Sequence, residues 1–112
     1  MSSFNVLARK VRNVDLPLGL RKSALGSCIW SYSRLIHQKY ETICERFSDR
    51  FGFSSIDRLT EAQLDLVMNA LELERKKFLV KLQIFDRQRV NDKLRGRRLP
   101  STAQIEALYH PD

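Results

Sequence analysis

Two cysteines, two histidines, three prolines and four glycines are all that this 112-residue chain holds of the residues that most narrow a fold. Two cysteines cannot staple a small domain, and two histidines leave little from which to build a metal cluster. No window approaches the ~18 uncharged apolar residues of a membrane span, and the start has no signal-peptide core. A protein that neither enters membranes nor follows classical secretion is expected. Little glycine and proline, with no long run of strict apolar/polar alternation, argues against a sheet. Gly-rich phosphate loops, nucleophile elbows and Cys-x-x-Cys pairs are missing, so a non-catalytic protein with no cofactor is expected.

What is present is charge. Twenty Lys and Arg stand against thirteen Asp and Glu, a formal net charge of +7, and the pI is near 9.9. The charge is unevenly spread. Residues 75–98 carry ten basic and two acidic side chains and reach +8, residues 1–22 reach +4, residues 23–74 fall to −3 and residues 99–112 to −2. A near-neutral body with one strongly basic arm and a smaller basic start points to an anionic partner, nucleic acid first. The residues expected to meet phosphates are Lys76, Lys77, Lys81, Arg87, Arg89, Lys93, Arg95, Arg97 and Arg98. Such contacts give salt-dependent affinity without reading base sequence. The alternative is a solvated helix face whose charges aid solubility.

Apolar periodicity predicts an all-α fold, a small helical domain built on a hairpin of two long helices with short flanking helices. A first helix is predicted over residues 3–13, from Phe4, Leu7, Ala8 and Val11 with Ser2 or Ser3 as cap. The prolyl-glycyl stretch to Gly19 then breaks it. From residue 20 to 51 an apolar stripe through Leu25, Cys28, Ile29, Tyr32, Leu35, Ile36, Tyr40, Ile43, Phe47 and Phe51 predicts one helix of about nine turns. Gly52 is its natural stop. Thr60 and Gln63 form a capping box for the next helix, whose stripe of Leu64, Val67, Met68, Leu71, Phe78, Leu79, Leu82 and Phe85 is interrupted by Glu74 and Arg75. Pro100 and Ser101 can open a last short helix bearing Ile105, Leu108 and Tyr109. The expected organisation is a basic short helix and break (1–19), a hairpin domain (20–95) and a basic, polar C-terminal tail (96–112).

Candidates for chemistry are few. Cys28 and Cys44, sixteen residues apart on one predicted helix, would lie ~24 Å apart along it and read as buried apolar cysteines. His37, Glu41 and Glu45 recur every four residues, and a solvated face with Asp49, Lys39 and Arg46 accounts for them; no metal site is expected. Trp30 projects to one side of the stripe, and with Phe78 and Phe85 it is the candidate partner-binding set, for a second copy of the chain or a larger protein. The expected compartment is the cytoplasm, with mitochondria as the alternative because Arg9, Lys10 and Arg12 follow Ser2 and Ser3 with no acid before Asp15.

The run from residue 30 to 71, with its Arg50-Phe51-Gly52-Phe53 turn and its Thr60-capped second helix closing on Leu71, resembles the C-terminal helical domain of phage antirepressors, the KilA-C type. The resemblance covers about 42 of the 112 residues. It implies a small phage or prophage regulator in the bacterial host cytoplasm, acting on DNA or on a DNA-associated host protein. The expectation is therefore a non-catalytic regulator that binds nucleic acid through its basic helix and tail. Its alternatives are a phage-encoded modulator of a host recombination or nuclease enzyme, and a small subunit of a ribonucleoprotein such as an organellar ribosome.

Overall fold

Ser3 caps the first helix, its hydroxyl accepting from the Val6 N–H at 3.3 Å. The computed structural model describes residues 3–91, with side chains to residue 84, together with Ile105 and Tyr109. The protein is a small all-α domain, with four helices among the described residues, α1 (Phe4–Arg12), α2 (Leu18–Leu35), α3 (Tyr40–Phe51) and α4 (Glu61–Asn91), plus a 3₁₀ turn at Ile56–Arg58. Among the described residues there is no strand, and no helix is long and apolar enough to cross a membrane.

The single helix predicted over residues 20–51 is two helices. Ile36 ends α2, and His37 sits in the left-handed region at φ 55°. The Gln38 N–H donates to the Ser33 carbonyl at 3.0 Å and the His37 N–H to that of Arg34 at 3.4 Å, the paired bonds of a Schellman stop. Histidine is among the residues that tolerate this conformation, so the break needs no glycine. Cys28 and Cys44 therefore lie on different helices, Cys28 buried and Cys44 half-buried, both as free thiols. Gly52 closes α3 at φ 71°, its N–H on the Ser48 carbonyl at 2.8 Å. The Thr60 box opens α4 reciprocally: the Thr60 N–H donates to Gln63 Oε1 at 3.0 Å, and the Gln63 N–H to Thr60 Oγ1 at 3.2 Å.

One core runs through all four helices. Phe4, Ala8 and Val11 of α1, Leu25, Ile29 and Tyr32 of α2, Ile43 and Phe47 of α3, and Leu64, Val67, Met68, Leu71 and Phe78 of α4 are buried together. α1 is thus part of the same core as the helices after it. Arg21 fastens the joint. It is 2% exposed, donates Nε to the Val11 carbonyl at 2.7 Å, and reaches Glu61 at 3.0 Å and Asp65 at 3.2 Å. A buried guanidinium with an orphan helix-end carbonyl and two carboxylates has its donors engaged, which is what keeps its burial tolerable.

Ile105 and Tyr109 come back to this body. Ile105 is buried in the core, and the Tyr109 N–H donates to its carbonyl at 3.0 Å. Tyr109 reaches Glu74, the residue that interrupts the α4 stripe. Arg46 meets Glu74 in a two-pronged pair at 2.6 Å and 2.6 Å, donates a further bond to the Tyr109 hydroxyl at 2.6 Å, and that hydroxyl donates to Glu74 at 3.3 Å. The polar interruption therefore serves as a clasp that ties α3, α4 and residue 109.

Candidate nucleic-acid interface

Packing α1 across α4 joins what the sequence keeps apart. Phe4, Asn5, Ala8, Arg9 and Arg12 of α1 and Glu72, Arg75, Lys76, Leu79, Val80 and Gln83 of α4 line one groove of about 540 Å³. Four cations from the two basic stretches thus share a groove with a single acid, Glu72. Their states differ. Arg12 donates to Glu72 at 3.1 Å and to the Asn69 side chain at 2.9 Å. Arg75 lies over the Phe4 ring at 4.2 Å, a cation–π contact that holds it in the groove wall. Arg9 and Lys76 have no ion-pair partner among the described residues and face solvent. Two cations fixed by neighbours and two left to water give a surface that holds its shape and still has charge to offer phosphates.

Of the nine residues expected to meet nucleic acid, Lys76 lines this groove, and Lys77 and Lys81 lie on α4 within the described region, Lys77 exposed and Lys81 half-buried. The side chains of Arg87 and Arg89, and all of Lys93, Arg95, Arg97 and Arg98, lie outside the described residues. Sequence reasoning did not single out Arg9, Arg12 and Arg75 as site residues. The available signal was the +4 stretch at the start, but α1 meeting α4 is a contact across some sixty residues that periodicity does not encode. Nor does all the early charge remain free: Arg21 is buried against its carboxylates, and Lys22 caps the Asp57 carbonyl at 2.8 Å.

The expected partner-binding set divides. Trp30 is 55% exposed and tilted at 54° against Tyr40, ring centres 6.2 Å apart. Phe78, at 3% exposure, is spent on the core, because its register places it on the same α4 face as Leu64 and Leu71; it is not a free surface residue. The Phe85 side chain lies outside the described residues. Trp30 and Tyr40 edge a second groove of about 720 Å³, lined also by Lys22, Glu45, Asp49 and Asp57. Burial, then the Cys44 thiol beside it, pushes the Tyr40 hydroxyl up to about 12. His37 stands in the turn before α3 while Glu41 and Glu45 are on α3, and no group of three or more His, Cys, Asp or Glu gathers among the described residues.

Compared with known protein families, curated proteins and solved structures, the chain finds no match.

Proposed function

We propose that this protein is a non-catalytic regulator of the phage or prophage type that binds nucleic acid through phosphate contacts on its α1/α4 face. The observation that carries the reading is the convergence of Arg9, Arg12, Arg75 and Lys76 on one groove. Cations clustered on one face, with little acid among them, are the footprint of backbone recognition. Lys77 and Lys81 add charge to α4 outside the groove, and the sequence after residue 85 is also basic. The regulatory role rests on the antirepressor-like run at residues 30–71. Binding of this kind positions the protein on a duplex without specifying a sequence.

The test is binding to labelled duplexes of several unrelated sequences, comparing the wild-type chain with an Arg9→Ala, Lys76→Ala double variant. Both side chains are exposed, so the fold should persist. Affinity should fall by a similar factor on every duplex; affinity unchanged on all of them would remove the α1/α4 face from the account.

A second reading draws on Trp30. An indole half in water beside Tyr40, over a groove with acidic walls, suits docking to a protein, and a DNA-associated host enzyme is the partner that the regulatory reading suggests. Trp30→Ala should then abolish a stoichiometric complex that survives high salt and nuclease while leaving duplex affinity intact.

A further inference from the structure

α4 is apolar on two opposite faces, and only one of them is used. Leu64, Leu71 and Phe78 are buried, while Leu66, Leu73 and Val80, each two residues further on, are 53%, 56% and 49% exposed, as is Ile84 at 49%. Two residues are ~200° around an α-helix, so the second set lies on the far side of α4 from the core. Together with Ala70, which is half-buried at the edge of the core, and Lys77 it forms a series at 66, 70, 73, 77, 80 and 84, of which Val80 also borders the α1/α4 groove. The steps of 4, 3, 4, 3 and 4 are the a/d spacing of a coiled-coil seam. Scattered surface leucines do not keep such a register for five steps.

We infer that this face pairs with the same face of a second copy, as an antiparallel two-helix seam about a two-fold axis at residue 75. The seam is symmetric about that position. Leu66 then layers with Ile84 of the partner subunit, Ala70 with Val80 of the partner subunit, and Leu73 with Lys77 of the partner subunit. Small meets large at Ala70, and the Lys77 stem lies over a leucine while its ammonium reaches to the rim. A parallel, in-register pair would instead set Lys77 against its own copy in one buried layer. Charge favours the same direction. Of the four acids in residues 61–74, Glu74 is buried on Arg46, while Glu61, Asp65 and Glu72 stay partly exposed beside Arg21 and Arg12; residues 75–84 hold four bases and no acid, so the antiparallel pair brings unlike halves together. Such an interface is isologous and closes at two copies. Ile105 is in the core and Tyr109 docks beside Arg46 and Glu74, so neither of these returning residues occupies the seam.

Sedimentation equilibrium of the nuclease-treated, full chain tests the pairing. The expected mass at high concentration is twice the 13.1 kDa of one chain, with Leu73→Glu returning it to the monomer. Circular dichroism of that variant should keep its helical signal, because Leu73 is outside the monomer core. Lys77→Leu completes the apolar seam and should tighten the dimer by at least about tenfold. Orientation follows from cysteine cross-linking: L66C mixed with I84C should join the two chains, and neither should join to itself. A monomer in both wild type and Lys77→Leu would overturn the pairing and leave the face to another protein. An L66C chain that cross-links to itself would overturn the antiparallel direction.

Discussion

Glu74 shows how one residue can look like a flaw in a pattern and be a joint in the fold. Its carboxylate, 8% exposed, takes both prongs of Arg46 and the Tyr109 hydroxyl. Glu74→Ala should lower stability by about 2 kcal/mol, less than a fully buried pair because Arg46 keeps a quarter of its side chain in water. Chemical denaturation reads this directly, and an unchanged midpoint would mean the clasp contributes nothing. Around it, burial first and then the Glu74 charge hold the Tyr109 hydroxyl up at about 12, from an ordinary 10. Desolvation likewise lifts the Cys28 thiol to about 12 from 9, and the Tyr40 hydroxyl to the same value. Tyr32 is raised too, by burial first and then by Glu74. Each of these groups is neutral when protonated and holds its proton more tightly folded than unfolded. Their stabilisation is therefore complete below about pH 9 and is lost as pH rises through 12. Denaturation midpoints should be level from pH 7 to 9 and fall steeply by pH 11; a midpoint still level at pH 11 would contradict the burial of these groups.

At the scale of elements, the sequence is legible where a terminator has a chemical signature. Thr60 with Gln63 and Gly52 mark their helix ends, and both caps form. The stop at His37 is hidden, because apolar spacing continues across it from Tyr32 to Tyr40 and neither glycine nor proline stands there. His37→Gly should keep the turn, while His37→Val, a β-branched residue forced to φ 55°, should cost about 1–2 kcal/mol. Equal stability of the two variants, measured by thermal unfolding, would show that the left-handed turn does not constrain this position. α4 hides something else. Its two apolar stripes are both written in the sequence, but the core stripe alone accounts for a helix, and only burial shows that a second one is left over. The reverse holds for Phe78, whose spacing suits either a partner or the core and whose burial selects the core.

For the whole molecule, the sequence told of charge blocks and the fold tells which of them meet. Arg9 and Arg12 come to Arg75 and Lys76 because α1 packs across α4, a long-range contact set by Phe4, Ala8 and Val11 in the core. Antiparallel pairing through the α4 seam would carry both copies of this groove to one side of the dimer, since α1 lies about a quarter-turn around α4 from the seam. A duplex long enough to span both grooves should then bind Leu73→Glu more weakly than wild type, while a duplex covering one groove binds both equally. Equal loss on the two lengths would place Leu73 in the site itself and not in the pairing.

The most direct measurement is the salt dependence of duplex affinity for the wild-type chain and for the Arg9→Ala, Lys76→Ala variant. Arg9 and Lys76, the two groove cations left to water, account for about −1.8 of the slope of log K against log salt, and the variant should lose that share. A wild-type slope near zero, or an equal slope in the variant, would contradict phosphate binding on this face.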